Sequence, residues 1–179
     1  QCRLSCTLCC HGLFDVSPLD AVWIAEGART APEGVRRTLA ANAGSALAAV
    51  GRVAAGWGPP WSVDEIGEGR FDEICDALSR EPCPALAEDG ACLIYEHRPL
   101  ICRLHGIPMY DPGALTWLGG ECELNFAPDG RRSDRTLWFD DVRFEEEQRR
   151  LEQELFAHAR RPVGRTIVAV ALVLAGPRP

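Results

Sequence analysis

The sequence has no lysine: all 19 of its basic residues are arginine. A Schiff-base lysine and a phosphate-loop lysine are therefore excluded. It also has no long hydrophobic run. The longest, Thr166 to Ala175, is ten residues and too short to span a bilayer. It has no surplus of positive charge; 26 acids against 19 arginines leave a net charge of -7. Such a chain repels phosphate, which argues against nucleic acid as its main partner. The G-x-S-x-G, H-E-x-x-H and glycine-rich phosphate patterns are missing, so no catalytic residue can be named. What remains is ordinary globular composition, 46% hydrophobic and 25% charged over 179 residues. That is enough chain to bury a core without disulfides.

Against this plain background stand nine cysteines, at positions 2, 6, 9, 10, 75, 83, 92, 102 and 122. A disulfide framework suits them badly. The count is odd, Cys9 and Cys10 are adjacent, and small disulfide scaffolds lack long core helices. Metal ligation suits them better, because thiolates a few residues apart in an irregular loop can converge on one soft ion. The opening C-x3-C-x2-C-C places three thiolates in one short segment, as in loop ligation of a [4Fe-4S] cluster. The same spacing occurs in radical S-adenosylmethionine enzymes, but the rest of this chain is too short for their barrel. Cys75 is set apart. It lies between Ile74 and Leu78 on the apolar face of an expected helix, where a free cysteine packs as a small hydrophobe.

Helical periodicity dominates the remainder. Ser17-Pro18-Leu19-Asp20 reads as a helix start, with Ser17 as cap, and that helix is expected to stop before Gly27. Val35, Leu39, Ala43, Ala46, Val50 and Val53 make one apolar stripe. Phe71, Ile74, Cys75 and Leu78 make a shorter one. The segment from Pro82 to Pro112 reads as irregular. A short strand or turn is expected within Leu115 to Phe126, and a turn at Asp129-Gly130. A last helix, Asp141 to Arg160, carries Phe144, Gln148, Leu151, Leu155 and Ala159 on one face, with His158 solvated. The run Thr166–Ala175 reads as a buried strand or a short core helix. Residues 131–179 hold 10 arginines against 8 acids. This reads as a solvated helix face, with a weak partner surface as the alternative.

Two stretches together resemble a known family. Cys2-Arg3-Leu4-Ser5-Cys6-Thr7-Leu8-Cys9-Cys10 is similar to the opening of the CxxCxxCC (YkgJ-like) cysteine-cluster proteins, described as zinc- or iron-chelating domains. Cys83-Pro84-Ala85-Leu86, then Asp89-Gly90-Ala91-Cys92-Leu93-Ile94-Tyr95-Glu96-His97-Arg98-Pro99, then Cys102-Arg103 and Cys122-x2-Asn125-Phe126 follow the family's second half. Thr7 departs from the pattern, where glycine is frequent. The resemblance covers residues 1–130 and implies a cysteine-bound iron–sulfur or zinc centre. It implies no single reaction, although some members are fused to, or act as, S-adenosylmethionine-dependent protein methylases.

The expectations are these. The fold is mainly α, a small helical domain of three or four helices with irregular cysteine-rich loops. Residues 1–130 form the metal-binding domain, and 131–179 a helix and apolar tail packed on it. Cys2, Cys6, Cys9, Cys10, Cys83, Cys92, Cys102 and Cys122 are the expected ligands, in one or two iron–sulfur clusters, with zinc as the alternative. The two cysteine segments are expected to meet in space. Arg98 and Arg103 either offset the negative charge of such a centre or make ordinary ion pairs and carbonyl contacts. Tyr95 reads as a packed aromatic. His11 and His105 read as supporting or surface side chains, with metal ligand as the alternative for each. The function is electron transfer, redox sensing or metal handling. The alternatives are an enzyme acting at the cluster (an oxidoreductase or part of a methylase system) and a structural zinc module. A redox or protein partner is expected, with no nucleic acid and no membrane, in the cytoplasm. Gln1 in place of Met implies earlier residues, and the sequence from Gln1 onward shows no signal peptide.

Overall fold

The computed structural model describes residues 6–111, 116–119, 122, 124, 136, 139–157 and 164–175. Cys2, the turn at Asp129-Gly130, Asn125-Phe126 and residues 158–160 lie outside them. In chain order the elements are β1 (Asp15–Val16), α1 (Pro18–Thr30), α2 (Glu33–Val53), α3 (Val63–Ile66) and α4 (Glu68–Ala77). A 3-10 turn (Tyr95–His97), α5 (Leu100–Leu104), β2 (Met109–Asp111), β3 (Thr116–Gly119) and β4 (Phe139–Asp140) come next. The last are α6 (Asp141–Leu155), β5 (Thr166–Ile167) and α7 (Val168–Val173). The architecture is mainly α, with more helices among the described residues than the three or four expected. Two compact units are distinguished, one from Leu4–Leu100 with Arg161–Pro179, the other from Ile101–Arg160.

The first unit is built on α1, α2 and α7. Ser17 caps α1 as its sequence predicts, its Oγ accepting the Asp20 N–H at 3.1 Å. Ile24, Leu39, Ala43, Ala49, Val50, Ile167, Ala171 and Leu172 are buried where these helices meet. The alanines let the backbones approach closely. Each buried leucine or isoleucine contributes about 1.5–3 kcal/mol. Trp57 closes one end, set edge-on to Trp61 and Phe71, with its indole N–H donating to the Ser62 carbonyl at 3.1 Å.

The apolar tail takes both of its expected forms in turn. Thr166 and Ile167 pair antiparallel with Val16 and Asp15, and the chain then enters α7. Arg165 fixes this return. Its guanidinium reaches Asp15 at 3.0 Å and Asp64 at 2.9 Å, and also pairs with Glu68.

One expectation fails. Helix α1 does not stop before Gly27 but runs on to Thr30, ending ahead of Pro32. Gly27 is there to be small. A Cβ on it would stand 2.5 Å from both Cβ and Cγ of His97. The imidazole lies over Trp23, ring centroids 4.4 Å apart, so the absent side chain of Gly27 lets the 3-10 turn seat on α1. Asp20 Oδ1 accepts the Leu100 N–H at 3.0 Å just beyond that turn.

In the second unit a small sheet has the order β3-β2-β4. Met109 faces Gly119 and Tyr110 faces Trp117 across the antiparallel pair, while β4 runs parallel to β2. Helix α6 begins where β4 ends. No helix among the described residues is long and apolar enough to cross a membrane.

Candidate metal centre

The N-terminal cysteine segment is a tight loop. The Cys10 N–H donates to the Thr7 carbonyl at 2.9 Å, and His11 Nδ1 lies 3.0 Å from the same oxygen. This exposed histidine therefore braces the loop from outside. Backbone contacts then stitch the loop to the second cysteine motif. Gly12 N–H donates to Glu81 O at 2.7 Å, and Cys83 N–H donates to Cys10 O at 2.9 Å. His11 and Pro82 form an antiparallel bridge between them. The two segments expected to meet in space do so through these contacts.

The second motif folds back on itself. Leu86 bridges Cys92, the Leu93 N–H donates to Ala85 O at 2.8 Å, and the Ala87 N–H donates to Ala91 O at 2.8 Å. Asp89 Oδ1 accepts the Ala91 N–H at 3.0 Å, and Gly90 takes φ +83°, a left-handed turn conformation that glycine adopts without strain. The Asp89-Gly90 pair thus delivers Cys92 back beside Cys83. Asn42 on α2 holds the loop from below, its amide reaching the Pro84 and Leu86 carbonyls at 3.2 and 3.4 Å. Buried Ala85 and Ile94 anchor it to the core.

The Cys9, Cys10, Cys83 and Cys92 thiols come near enough to influence one another as a result. Burial pushes the Cys10 thiol up to about 12, reinforced by the neighbouring Cys9 and Cys83 and by Cys92. Burial likewise raises Cys83 to about 11, against the pull of the Ala85 backbone N–H directed at its sulfur. Cys92 is raised by burial too, with the Ile94 N–H and the Arg98 charge opposing. Buried thiols that resist ionisation, with groups beside Cys83 and Cys92 that would favour the thiolate, suit a cation. The metal supplies the charge that burial and mutual repulsion withhold. Among the described residues no group of three or more His, Cys, Asp or Glu side chains is placed to hold a metal ion.

Arg98 carries features of both readings of the arginines. Its guanidinium stacks 3.8 Å above the Tyr95 ring, its Nε donates to Tyr95 O at 3.0 Å, and its charge bears on Cys92. Tyr95 is thus an exposed platform for Arg98 rather than a buried aromatic.

The remaining candidates are placed as follows. Cys6 sits half-buried at the start of the first loop. Cys102 lies on α5 and Cys122 against Gly106, both in the second unit by residue number. The Cys122 N–H donates to Gly106 O at 3.2 Å, and a Cβ on Gly106 would stand 2.7 Å from the Cys122 Cβ. His105 is exposed. Cys75 lies on α4, its thiol directed at Leu13 O at 3.5 Å and raised to about 11 by burial and by Asp15, Asp72 and Asp76. None of the eight described cysteines is in a disulfide. Sequence reasoning missed Asn42, Gly27 and Gly106. Each serves the cysteine loops through a contact distant in sequence, and none has a local signal.

No curated protein and no solved structure matches the chain. One family model does, over residues 1–123, with the description "Putative zinc- or iron-chelating domain". The span holds both cysteine loops described above, although the first here has three residues rather than two between Cys2 and Cys6. The chain belongs to the CxxCxxCC family.

Proposed function

We propose that the chain holds an iron–sulfur centre, [4Fe-4S] before other types, and uses it for electron transfer, redox sensing or metal handling. The observation that carries this reading is the Cys10 thiol set among those of Cys9, Cys83 and Cys92 on two stitched loops. These four are the first ligands we assign; Cys2, Cys6, Cys102 and Cys122 are the further ligands we propose, without assigning them to the same centre. A cluster bound there would supply one-electron transfer at its irons. The chain's own part is to keep the thiolates stable. The Ala85 and Ile94 amides and the Arg98 guanidinium lower the cost of negative charge at Cys83 and Cys92, and hydrogen bonds of this kind also tune cluster potential. Each thiol must lose its proton on binding, so loading releases protons and strengthens with pH.

A second reading is favoured by one feature. Four thiols set near one another within one unit also suit tetrahedral zinc, which would make the centre structural. Either centre needs reduced thiols, which fits the cytoplasm. A redox centre also needs a protein partner to exchange electrons with.

Anaerobic purification followed by absorption spectroscopy and assay of iron, zinc and acid-labile sulfide separates these readings. Brown protein with matched iron and sulfide is expected. Colourless protein with zinc and no sulfide would overturn the cluster, and protein that binds neither metal would overturn both.

A further inference from the structure

The hairpin of the second unit carries Cys122 back to the end of α5. Met109 of β2 stands opposite Gly119 of β3. Three residues outward along each arm, the same register sets Gly106 opposite Cys122. The Cys122 N–H keeps that register by donating to Gly106 O at 3.2 Å. Directly opposed residues on a ladder normally hold their Cβ atoms about 4.5–5.5 Å apart. Here a Cβ on Gly106 would stand 2.7 Å from the Cys122 Cβ and 3.3 Å from the Cys122 amide nitrogen. Cys122 therefore sits where only a residue without a side chain lets it sit. Gly106 is also at φ +84°, the left-handed conformation that ends a helix.

The same glycine lies one helical turn beyond Cys102. Helix α5 runs Leu100–Leu104, and the His105 N–H continues it by donating to Ile101 O at 2.9 Å. A position four residues on returns to the same side of a helix, about 5–6 Å away. Gly106 thus marks the place beside Cys102 that a C-x3-C pair would fill with its second cysteine. Cys122 is packed against that place from the hairpin.

We infer that Cys102 and Cys122 act as one ligand pair on a single metal centre, and that Gly106 is the positioning residue that seats Cys122 in it. Two thiolates brought together in this way suit a soft cation. The inference rests on the reading of these two cysteines as ligands.

The test uses the full chain, reduced and stripped of metal, with cobalt(II) as the probe, because thiolate-to-cobalt absorption reports bound sulfur. Cys102→Ser and Cys122→Ser should each remove the same cobalt, and the double variant no more than either alone. Gly106→Ala should weaken that cobalt about 10–100-fold, as loss of a ligand's support does. Gly106→Asn, which tolerates positive φ but carries a Cβ, should do the same. Cobalt held by the remaining cysteines should persist in both, which separates displacement of Cys122 from unfolding. Gly67→Ala controls for backbone strain alone, since Gly67 is at φ +76° and a Cβ there meets nothing within 4 Å. It should lose stability and keep its cobalt. Dibromobimane, a two-armed thiol reagent, reads the pairing without metal: mass spectrometry should find a Cys102–Cys122 bridge in the wild type and none in Gly106→Ala. Full cobalt in Cys122→Ser removes Cys122 from the ligands and overturns the reading together with the inference. Loss in Cys122→Ser with full cobalt in Gly106→Ala or Gly106→Asn overturns the inference alone. So do additive losses in the double serine variant, or a wild-type chain that forms no such bridge.

Discussion

Replacing Gly27 by alanine tests whether α1 positions the second cysteine loop. The new methyl would lie 2.5 Å from Cβ and Cγ of His97. The His97 Cβ is fixed by its backbone, so a rotamer change cannot clear it and the 3-10 turn itself must shift. Overpacking of this kind costs roughly 1–3 kcal/mol. Alanine returns about 1 kcal/mol of helix propensity. The net is a loss of about 1 kcal/mol, or roughly 2–4 °C in Tm for a chain of this size. Gly44→Ala on α2 is the control, because a Cβ there meets nothing within 4 Å. It should gain about 1 kcal/mol and rise by a similar amount. Thermal denaturation of the two variants side by side should therefore move in opposite directions. The turn joins Ile94, whose amide supports Cys92, to Arg98, whose charge bears on it. Gly27→Ala should accordingly also bind metal more weakly, and Gly44→Ala should not. If both variants gain stability alike, His97 does not press on α1 as described and the reasoning is wrong.

Asn42→Ala removes the hydrogen bonds to Pro84 and Leu86 and should cost about 1–2 kcal/mol in urea unfolding; metal retention should weaken with it, and unchanged metal retention would separate α2 from the loop. Arg165→Met leaves Asp15, Asp64 and Glu68 facing one another without their shared cation. We expect a loss of about 1–2 kcal/mol, reduced by salt because the site is partly exposed, and a stability indifferent to this change would show that the tail is held by α7 packing alone. For the metal-free chain the thiols set a pH dependence. Cys83 and Cys10 stand at about 11 and about 12 when folded, above the ordinary value of 9.0. The unfolded chain then gives up protons that the folded chain keeps, so stability is full below pH 9.0 and falls as pH rises toward those values. Urea titrations at neutral pH and near pH ~10 should show that fall, and a constant or rising stability would contradict it.

The long periodic elements were legible in the sequence because their signals are local. The stripe from Val35 to Val53 lies on α2 with Leu39, Ala43 and Val50 buried, and the Ser17-Pro18 start of α1 is in place. Gly27 misled because a glycine near a helix end reads locally as a stop, while its real reason is His97, far along the chain. The stripe on α6 was readable as periodicity, but periodicity does not say whether a face is covered. Arg165 sits in no pattern; only folding brings three acids around it. The meeting of the two cysteine loops was expected from chemistry, since metal ligation commonly draws such loops together. The loop backbone contacts and the Asn42 brace depend on atoms that no spacing rule encodes.

The central claim, that the cysteines outside α4 hold metal and Cys75 does not, is tested by metal content per chain across the nine single cysteine-to-serine variants, each purified anaerobically. Cys75→Ser should keep its full metal and lose only packing, about 1–3 kcal/mol. The variants at Cys2, Cys6, Cys9, Cys10, Cys83, Cys92, Cys102 and Cys122 should each lose metal. Loss of metal in the Cys75 variant, or full retention in two or more of the other eight, would contradict the account.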